Sequence, residues 1–274
     1  MRIRGPPLKP LLGSSPLLGE LAVAREIVAR EVAAAAIDTH GVVGPQLHER
    51  AVVASRGNWH EFGPLVASQA WYRGFAAAQR KVFVSDGSAT IEKFQQQHFS
   101  HFTSVLELLH ALAYARAATR AVAVDEAAAE QQYDAWAALI WSGRVAEVIH
   151  ELEGHGERLG LPPPDARARD TDPRAVVRRS RVFFANHQSR MNYPSYRQQG
   201  FPLTSSLMES TVKQVSRRVK GNEKFWSSSG AEAMLRLRAA SLSADQPLQR
   251  YFHHRARHAH GTRAYRHHPR AMNR

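Results

Sequence analysis

The chain has 274 residues, enough for one large domain or two small ones, and 43% of them are hydrophobic, so a substantial core is within reach. Its formal net charge is +13, which points to a polyanionic partner, and the absence of cysteine excludes disulfides and cysteine-ligated zinc and fits a reducing, cytoplasmic setting. No apolar run approaches the roughly 20 residues that a membrane-spanning helix needs, and prolines and glycines interrupt "MRIRGPPLKPLLGSSPLLGE" before a signal-peptide core can form.

Residues 1 to 16 are rich in Pro and Gly and read as irregular. "LLGELAVAREIVAREVAAAAI" (17 to 37) reads as helix from its alanines and alternating charge. "RAVVAS" (50 to 55) has the composition of a short strand, and 65 to 79 the pattern of a helix. In "KVFVSDGSAT" (81 to 90), Val82, Phe83 and Val84 form a β-prone run that stops at Asp86-Gly87, as a buried strand ending in a turn does. Helix is expected over 103 to 121 and again from about 125 to 159. "GLPPPDARARDTDPR" (160 to 174) reads as a linker or exposed loop, and "AVVRRSRVFFANHQ" as helix. "MNYPSYRQQGFPLTSS" reads as loop with one turn of helix. "TSSLMESTVKQVSRRVK" and "GAEAMLRLRAASLS" read as helices, and the segment from 253 onward as a disordered tail.

Charge is distributed unevenly along this order. Residues 174 to 274 hold 20 Lys/Arg against 4 Asp/Glu, and the remainder of the chain holds 17 against 20. A basic half favours nucleic acid as partner, with an anionic membrane surface second.

Two acids stand out. Asp86, just past a strand, lies where open α/β folds place their sites, and it also fits an ordinary Asp-Gly turn. Glu209 completes an S-x-x-E capping box with Ser206 and stands four residues before Lys213, a favourable helix pair. Met208, Val212, Val215 and Val219 are spaced as a core stripe, which leaves Glu209, Lys213, Arg217 and Lys220 on another face. An acid among bases suits a metal ligand beside a phosphodiester and equally a solvated helix face. In "RVKGNEKFW", Lys220 and Lys224 flank a glycine ahead of Phe225 and Trp226. Such a mixture suits phosphate contact with base stacking, or aromatics that anchor the chain after a helix end. His110, among apolar residues, reads as a satisfied core histidine. His253, His254, His258, His260, His267 and His268 read as a solvated, partly protonated tail.

Two blocks carry a resemblance. "RMNYPSYRQQGFPLTSSLMESTVKQVSRRVKGNEKFWSSSGAEAMLRLRAASLS" and "VFVSDGSATIEKFQQQHFSHFTSVLELLHALAYARAAT" closely resemble the C-terminal and middle blocks of bacterial insertion-sequence transposases of the DDE type. The resemblance covers roughly residues 55 to 265. It implies an RNase H-like α/β domain over 55 to 252, with a mixed sheet flanked by helices and a helical insertion at about 110 to 200. A segment at 1 to 54 precedes this domain and a basic tail at 253 to 274 closes the chain. It also implies two-metal phosphodiester transfer with Mg2+ or Mn2+, in which Asp86 is the second acid and Glu209 the third, because hard cations take oxygen ligands. Lys213, Arg217, Arg218, Lys220 and Lys224 then contact DNA phosphates, and the partners are transposon ends, target DNA and a possible second copy of the chain.

The family's first acid lies on an early strand. "MRIRGPP" resembles the stretch just after that aspartate, and Asp38 does not match its context, so the expectation is an N-terminally truncated chain lacking that acid and the N-terminal DNA-binding region. Glu92 stands where the resemblance leads one to expect an aromatic, which implies drift or local repacking. The readings to be separated are an active transposase, a DNA-binding remnant without cleavage, and a helical RNA-binding protein without metal chemistry.

Overall fold

A computed structural model describes residues 50 to 160, 171 to 220 and 225 to 257, with the side chains of Ser206, Leu207 and Glu209 outside the described set. The expected N-terminal helix at 17 to 37, most of the proline-rich linker, Lys224 and the end of the tail lie outside the described residues. The chain divides into two compact units, one containing Ala70–Met208 and the other Leu47–Gln69 with Glu209–Arg274. Described residues are mostly helical, with a small parallel sheet.

The first unit follows a helix, α1 (Trp59–Tyr72), and a short 3-10 turn at Phe75–Ala77. Then come β1 (Val82–Ser85), α2 (Ala89–His98) and β2 (Thr103–Leu106). β1 and β2 are parallel, with Val82 opposite Thr103 and Ser85 opposite Leu106. Parallel neighbours need a crossover, and α2 supplies it. β1 is where the Val-Phe-Val run predicts a strand, but Val82, Phe83 and Val84 are half-buried rather than buried.

β2 corrects the expectation of helix from 103. The helical period is real from Leu108 onward, but Thr103 and Val105 are β-branched and fit a pleated ladder. Pairing with β1 decides the contest. Thr103 N–H donates to Lys81 O and Glu107 N–H to Ser85 O, each at 2.8 Å, so the ladder runs past both strand ends.

Four helices come next: α3 (Leu108–Val122), α4 (Glu126–Trp141), α5 (Val145–Leu159) and α6 (Pro173–His187). A 3-10 turn at Gln188–Arg190 and the short α7 (Tyr193–Gln198) complete the unit. α3 is the central element. Leu108, Leu109 and Leu112 are buried along it, and so are Ala111, Ala113, Ala115 and Ala118. These small residues let α4 and α6 pack closely against α3. Around it lie Tyr133, Trp136 and Ile140 of α4, Val148 and Leu152 of α5, and Phe184 of α6. Each large apolar side chain buried here contributes about 1.5–3 kcal/mol. Trp136 is fully buried and its indole N–H donates to Glu151 Oε2 at 2.6 Å, which satisfies the polar edge of the ring.

Local sequence sets the helix ends. Asp125 Oδ1 accepts from Ala128 N–H at 2.7 Å to cap α4, and Gly143 in the left-handed region (φ 78°) separates α4 from α5. Asp172 accepts from Arg174 N–H at 2.9 Å with Pro173 in the first turn, so α6 begins where the linker was expected to end.

In the second unit, residues 50 to 55 do not form the expected strand. No partner strand exists for them among the described residues; helix-borne groups satisfy their backbone instead. Ala244 N–H donates to Arg50 O at 2.7 Å, Val52 N–H to Ser243 Oγ at 3.0 Å, and Arg56 N–H to Glu232 Oε2 at 2.8 Å. The unit's helices are α1 (up to Gln69), α8 (Ser206–Val219, whose first residues belong to the first unit), α9 (Ser228–Leu242) and α10 (Pro247–Arg257). Ser227 caps α9 by accepting from Gly230 N–H at 3.1 Å. α10 corrects the start of the expected disordered tail: residues 253 to 257 are helical.

Candidate catalytic site at the sheet edge

Both strands end at the same edge, because Ser85 pairs with Leu106. Asp86 and Glu107 are therefore adjacent at the carboxyl end of the sheet. Gly87 turns the chain away with φ 82°, and a Cβ there would lie 2.9 Å from His187 Nε2 and 2.9 Å from Leu106 Cδ1. Only glycine fits both the backbone and the space. The turn is tied by Asp86 Oδ1, which accepts from Ser88 N–H at 2.9 Å. The rest of the Asp86 carboxylate makes no hydrogen bond or ion pair among the described residues.

Glu107 begins α3 and is 1% exposed. Its Oε2 lies 2.5 Å from His110 Nδ1, and its Oε1 accepts from Ser205 N–H at 2.8 Å and Ser205 Oγ–H at 2.6 Å. Burial alone would raise the Glu107 carboxyl, but the bonds from His110 and Ser205 outweigh it and hold it below its ordinary range. The same pairing acts in reverse on His110. Burial works to lower it, and Glu107, with the charge of Asp86 behind it, brings it above its ordinary value. The side chain of His110 keeps 26% exposure. It is a half-buried edge residue paired with a carboxylate, where the apolar context of its helix suggests a core histidine.

One turn further along α3, Tyr114 stacks on Phe183 of α6 with centroids 3.7 Å apart. Burial raises its hydroxyl, with Arg179 lowering and Asp86 raising it further. His187, at the end of α6, is nearly buried. Burial lowers it, against the opposing pull of Glu92 and of Asp86. Its Nδ1 lies 3.0 Å from Glu92 Oε1, a close polar contact without hydrogen-bond alignment. Three titratable side chains thus sense the Asp86 carboxylate: His110, Tyr114 and His187.

The sequence-predicted residues fall on both units. Asp86 belongs to the first unit and Glu209 to the second, where Glu209 sits in the first turn of α8. Among the described residues, no three His, Asp or Glu side chains form a metal-ligating group. Lys213, Arg217, Arg218 and Lys220 are all exposed on α8, and 213, 217 and 220 keep the i, i+4, i+7 spacing of one helix face. The expected core stripe is narrower than its spacing implies. Val215 and Thr211 are buried, whereas Met208 and Val212 are exposed at 62% and 38%. The aromatic pair after α8 divides its roles: Trp226 donates its indole N–H to Val219 O at 3.0 Å and anchors the helix end, while Phe225 is 91% exposed.

Sequence reasoning missed Glu107 and the group formed by Glu92, His187 and Arg190. The Glu-x-x-His spacing at 107 and 110 was the available signal for the first, since it places both side chains on one helix face. No local signal exists for the second.

No helix among the described residues is long and apolar enough to cross a membrane. No family model matches the chain, and no curated protein or solved structure matches it.

Proposed function

We propose that this chain is the catalytic portion of a DDE-type transposase, cutting and joining DNA strands at insertion-sequence ends. The observation that carries the reading is the Asp86-Gly87 turn at the carboxyl edge of a parallel strand–helix–strand unit, a place where α/β folds bind ligands. The parallel pair suits the parallel part of an RNase H-like mixed sheet. The helices between Leu108 and Gln198 lie in the order where a helical insertion before the last acid belongs.

Asp86 suits a hard divalent cation. It offers charged oxygen, and part of its carboxylate is free of protein partners among the described residues. Asp86 and Glu209 are the assigned ligands for Mg2+ or Mn2+. Such an ion, when bound, activates the attacking oxygen and stabilises the leaving one in an in-line displacement. The chain's own residues do the remaining work. Glu107 raises His110 above its ordinary value near Asp86, and in its protonated form the imidazole favours a phosphodiester oxygen gaining charge. Lys213, Arg217, Arg218 and Lys220, with Lys224 beyond them, neutralise phosphates along the strand.

Calorimetric titration with Mn2+ tests this assignment. Asp86→Asn and Glu209→Gln each weaken binding while the far-ultraviolet circular dichroism stays unchanged. Unchanged affinity in both variants overturns it. A protein that binds DNA but nicks no supercoiled plasmid in Mn2+, with or without Asp86, supports the second reading, a DNA-binding chain without cleavage.

A further inference from the structure

We infer that Glu92 is the hub of a two-armed brace that positions Asp86, with Arg190 and His187 as its arms. The inference rests on the reading of Asp86 as a metal ligand. Asp86 is flanked in sequence by Ser85 and Gly87, and each flank is held by a different residue from the far end of the helical region. Arg190 Nη2 donates to Ser85 Oγ at 2.6 Å. The imidazole of His187 is seated against Gly87, so closely that a Cβ at Gly87 would meet Nε2 at 2.9 Å. Both arms return to one carboxylate. Arg190 Nη1 donates to Glu92 Oε1, and His187 Nδ1 lies 3.0 Å from the same oxygen.

The geometry makes Glu92 hard to replace. The side chain of Arg190 is 11% exposed and that of His187 is 8% exposed, while Glu92 keeps 29%. Arg190 Nε is buried without a hydrogen-bond partner. Without Glu92, the guanidinium keeps Ser85 Oγ as its remaining hydrogen-bond partner, and a nearly buried cation so placed moves toward water. His187 then loses its carboxylate neighbour and keeps only the edge-on packing of Phe183 on its ring and its seat against Gly87. Both arms release, and the Asp86 turn is left with its own bond to Ser88 and with backbone bonds, among them that from Glu107 N–H to Ser85 O. The acid at position 92 thereby joins the strand, the crossover helix and the end of α6 in one network. Glu92, Arg190 and His187 are positioning residues. None is assigned to the metal or to DNA.

The experiment compares the full chain with Glu92→Ala, Glu92→Gln and Trp136→Phe, the last a control that lowers stability in the helical core without touching the brace. Hydrogen–deuterium exchange is read at the amides of residues 86 to 89, and Mn2+ affinity by calorimetry. Glu92→Ala speeds exchange at 86 to 89 on the order of tenfold relative to β2 and α3, and weakens Mn2+ binding roughly tenfold or more. Glu92→Gln lies between, because it keeps an acceptor but not the charge. Trp136→Phe accelerates exchange in the helices and leaves 86 to 89 in step with them. If exchange at 86 to 89 in Glu92→Ala rises only as much as in the rest of the unit, Glu92 is merely structural and the inference is overturned. If wild-type protein binds no Mn2+, the metal reading fails, and the exchange data still decide the brace. Should Glu92→Ala not fold, Arg190→Lys replaces it. That variant retains charge opposite Glu92 but gives up the fork that also reaches Ser85, and faster exchange at 86 is expected from it, with unchanged exchange overturning the brace.

Discussion

Replacing Glu107 by Gln is the most informative perturbation of the sheet edge, because its cost depends on pH in a direction the structure fixes. Glutamine preserves size and one carbonyl oxygen, so the two bonds from Ser205 survive. The charged pairing with His110 Nδ1 at 2.5 Å does not. Removing one partner of a buried ion pair costs about 3–5 kcal/mol. His110 is 26% exposed and turns partly to solvent, so the lower figure of about 2–3 kcal/mol, typical of a hydrogen bond to a charged group, applies. The folded state raises His110 above its ordinary 6.5, so the stability from its charge is complete below that value and is lost as pH rises through the folded one. The folded state lowers Glu107 below its ordinary 4.5, so its contribution is complete above that value and is lost as pH falls through the folded one. Both are present between the two ordinary values. The Glu107→Gln penalty is therefore largest at about pH 5.5 and falls toward about 1 kcal/mol at a second, alkaline pH above the folded His110 value, where a neutral imidazole leaves an ordinary hydrogen bond. Urea-dependent amide exchange in α3 isolates the first unit for this measurement. A penalty equal at the two pH values would refute the reasoning, since it would mean that His110 carries no charge beside Glu107.

Gly87→Ala places a Cβ at φ 82° and within 2.9 Å of both His187 and Leu106, at a cost of at least about 2 kcal/mol. The double variant Gly87→Ala/His187→Ala recovers part of that loss in thermal unfolding, and no recovery means the histidine does not close the space. Trp136→Phe removes the 2.6 Å bond to Glu151 and lowers stability by about 1.5–3 kcal/mol. Glu151→Gln added to the Trp136→Phe variant then costs little, which a double-mutant cycle reads. Neutralising Arg217, Arg218 and Lys220 reduces the slope of log affinity for duplex DNA against log salt by roughly 0.9 for each phosphate no longer neutralised; an unchanged slope removes α8 from the DNA interface.

The readable parts of this chain are those whose signal is local. Val82-Phe83-Val84 before Asp86-Gly87 announces a strand and its turn, and the alanine-rich stretch from about 125 announces helix, which Gly143 divides into α4 and α5. β2 was not readable. Its four residues abut a strong helical period, and what makes them a strand is the ladder to β1, some twenty residues earlier. Residues 50 to 55 failed in the opposite sense: their composition suits a strand, but their hydrogen-bond partners come from Glu232 and from residues 243 and 244. The brace at Asp86 is the extreme case, since Arg190 reaches Glu92 across 98 residues and Ser85 across 105. An acid at 92 looks like an anomaly until its partners are placed beside it.

The two readings of Asp86, turn residue and ligand, separate on its oxygens. The neighbouring acids at this edge are engaged: Glu92 holds Arg190 and His187, and Glu107 holds His110 and Ser205. Asp86 spends one oxygen on Ser88 N–H and no more on the described protein. A turn needs only that oxygen. Asparagine supplies it equally well, so if the turn is the whole role of Asp86, Asp86→Asn leaves stability within about 0.5 kcal/mol and changes nothing else. If the carboxylate is a ligand, the same variant keeps its stability and loses Mn2+ affinity and any strand cleavage together. A large loss of stability in Asp86→Asn contradicts both, because the charge would then be serving the fold. That outcome would redirect attention to His110, the histidine at this edge whose raised value depends in part on the Asp86 charge.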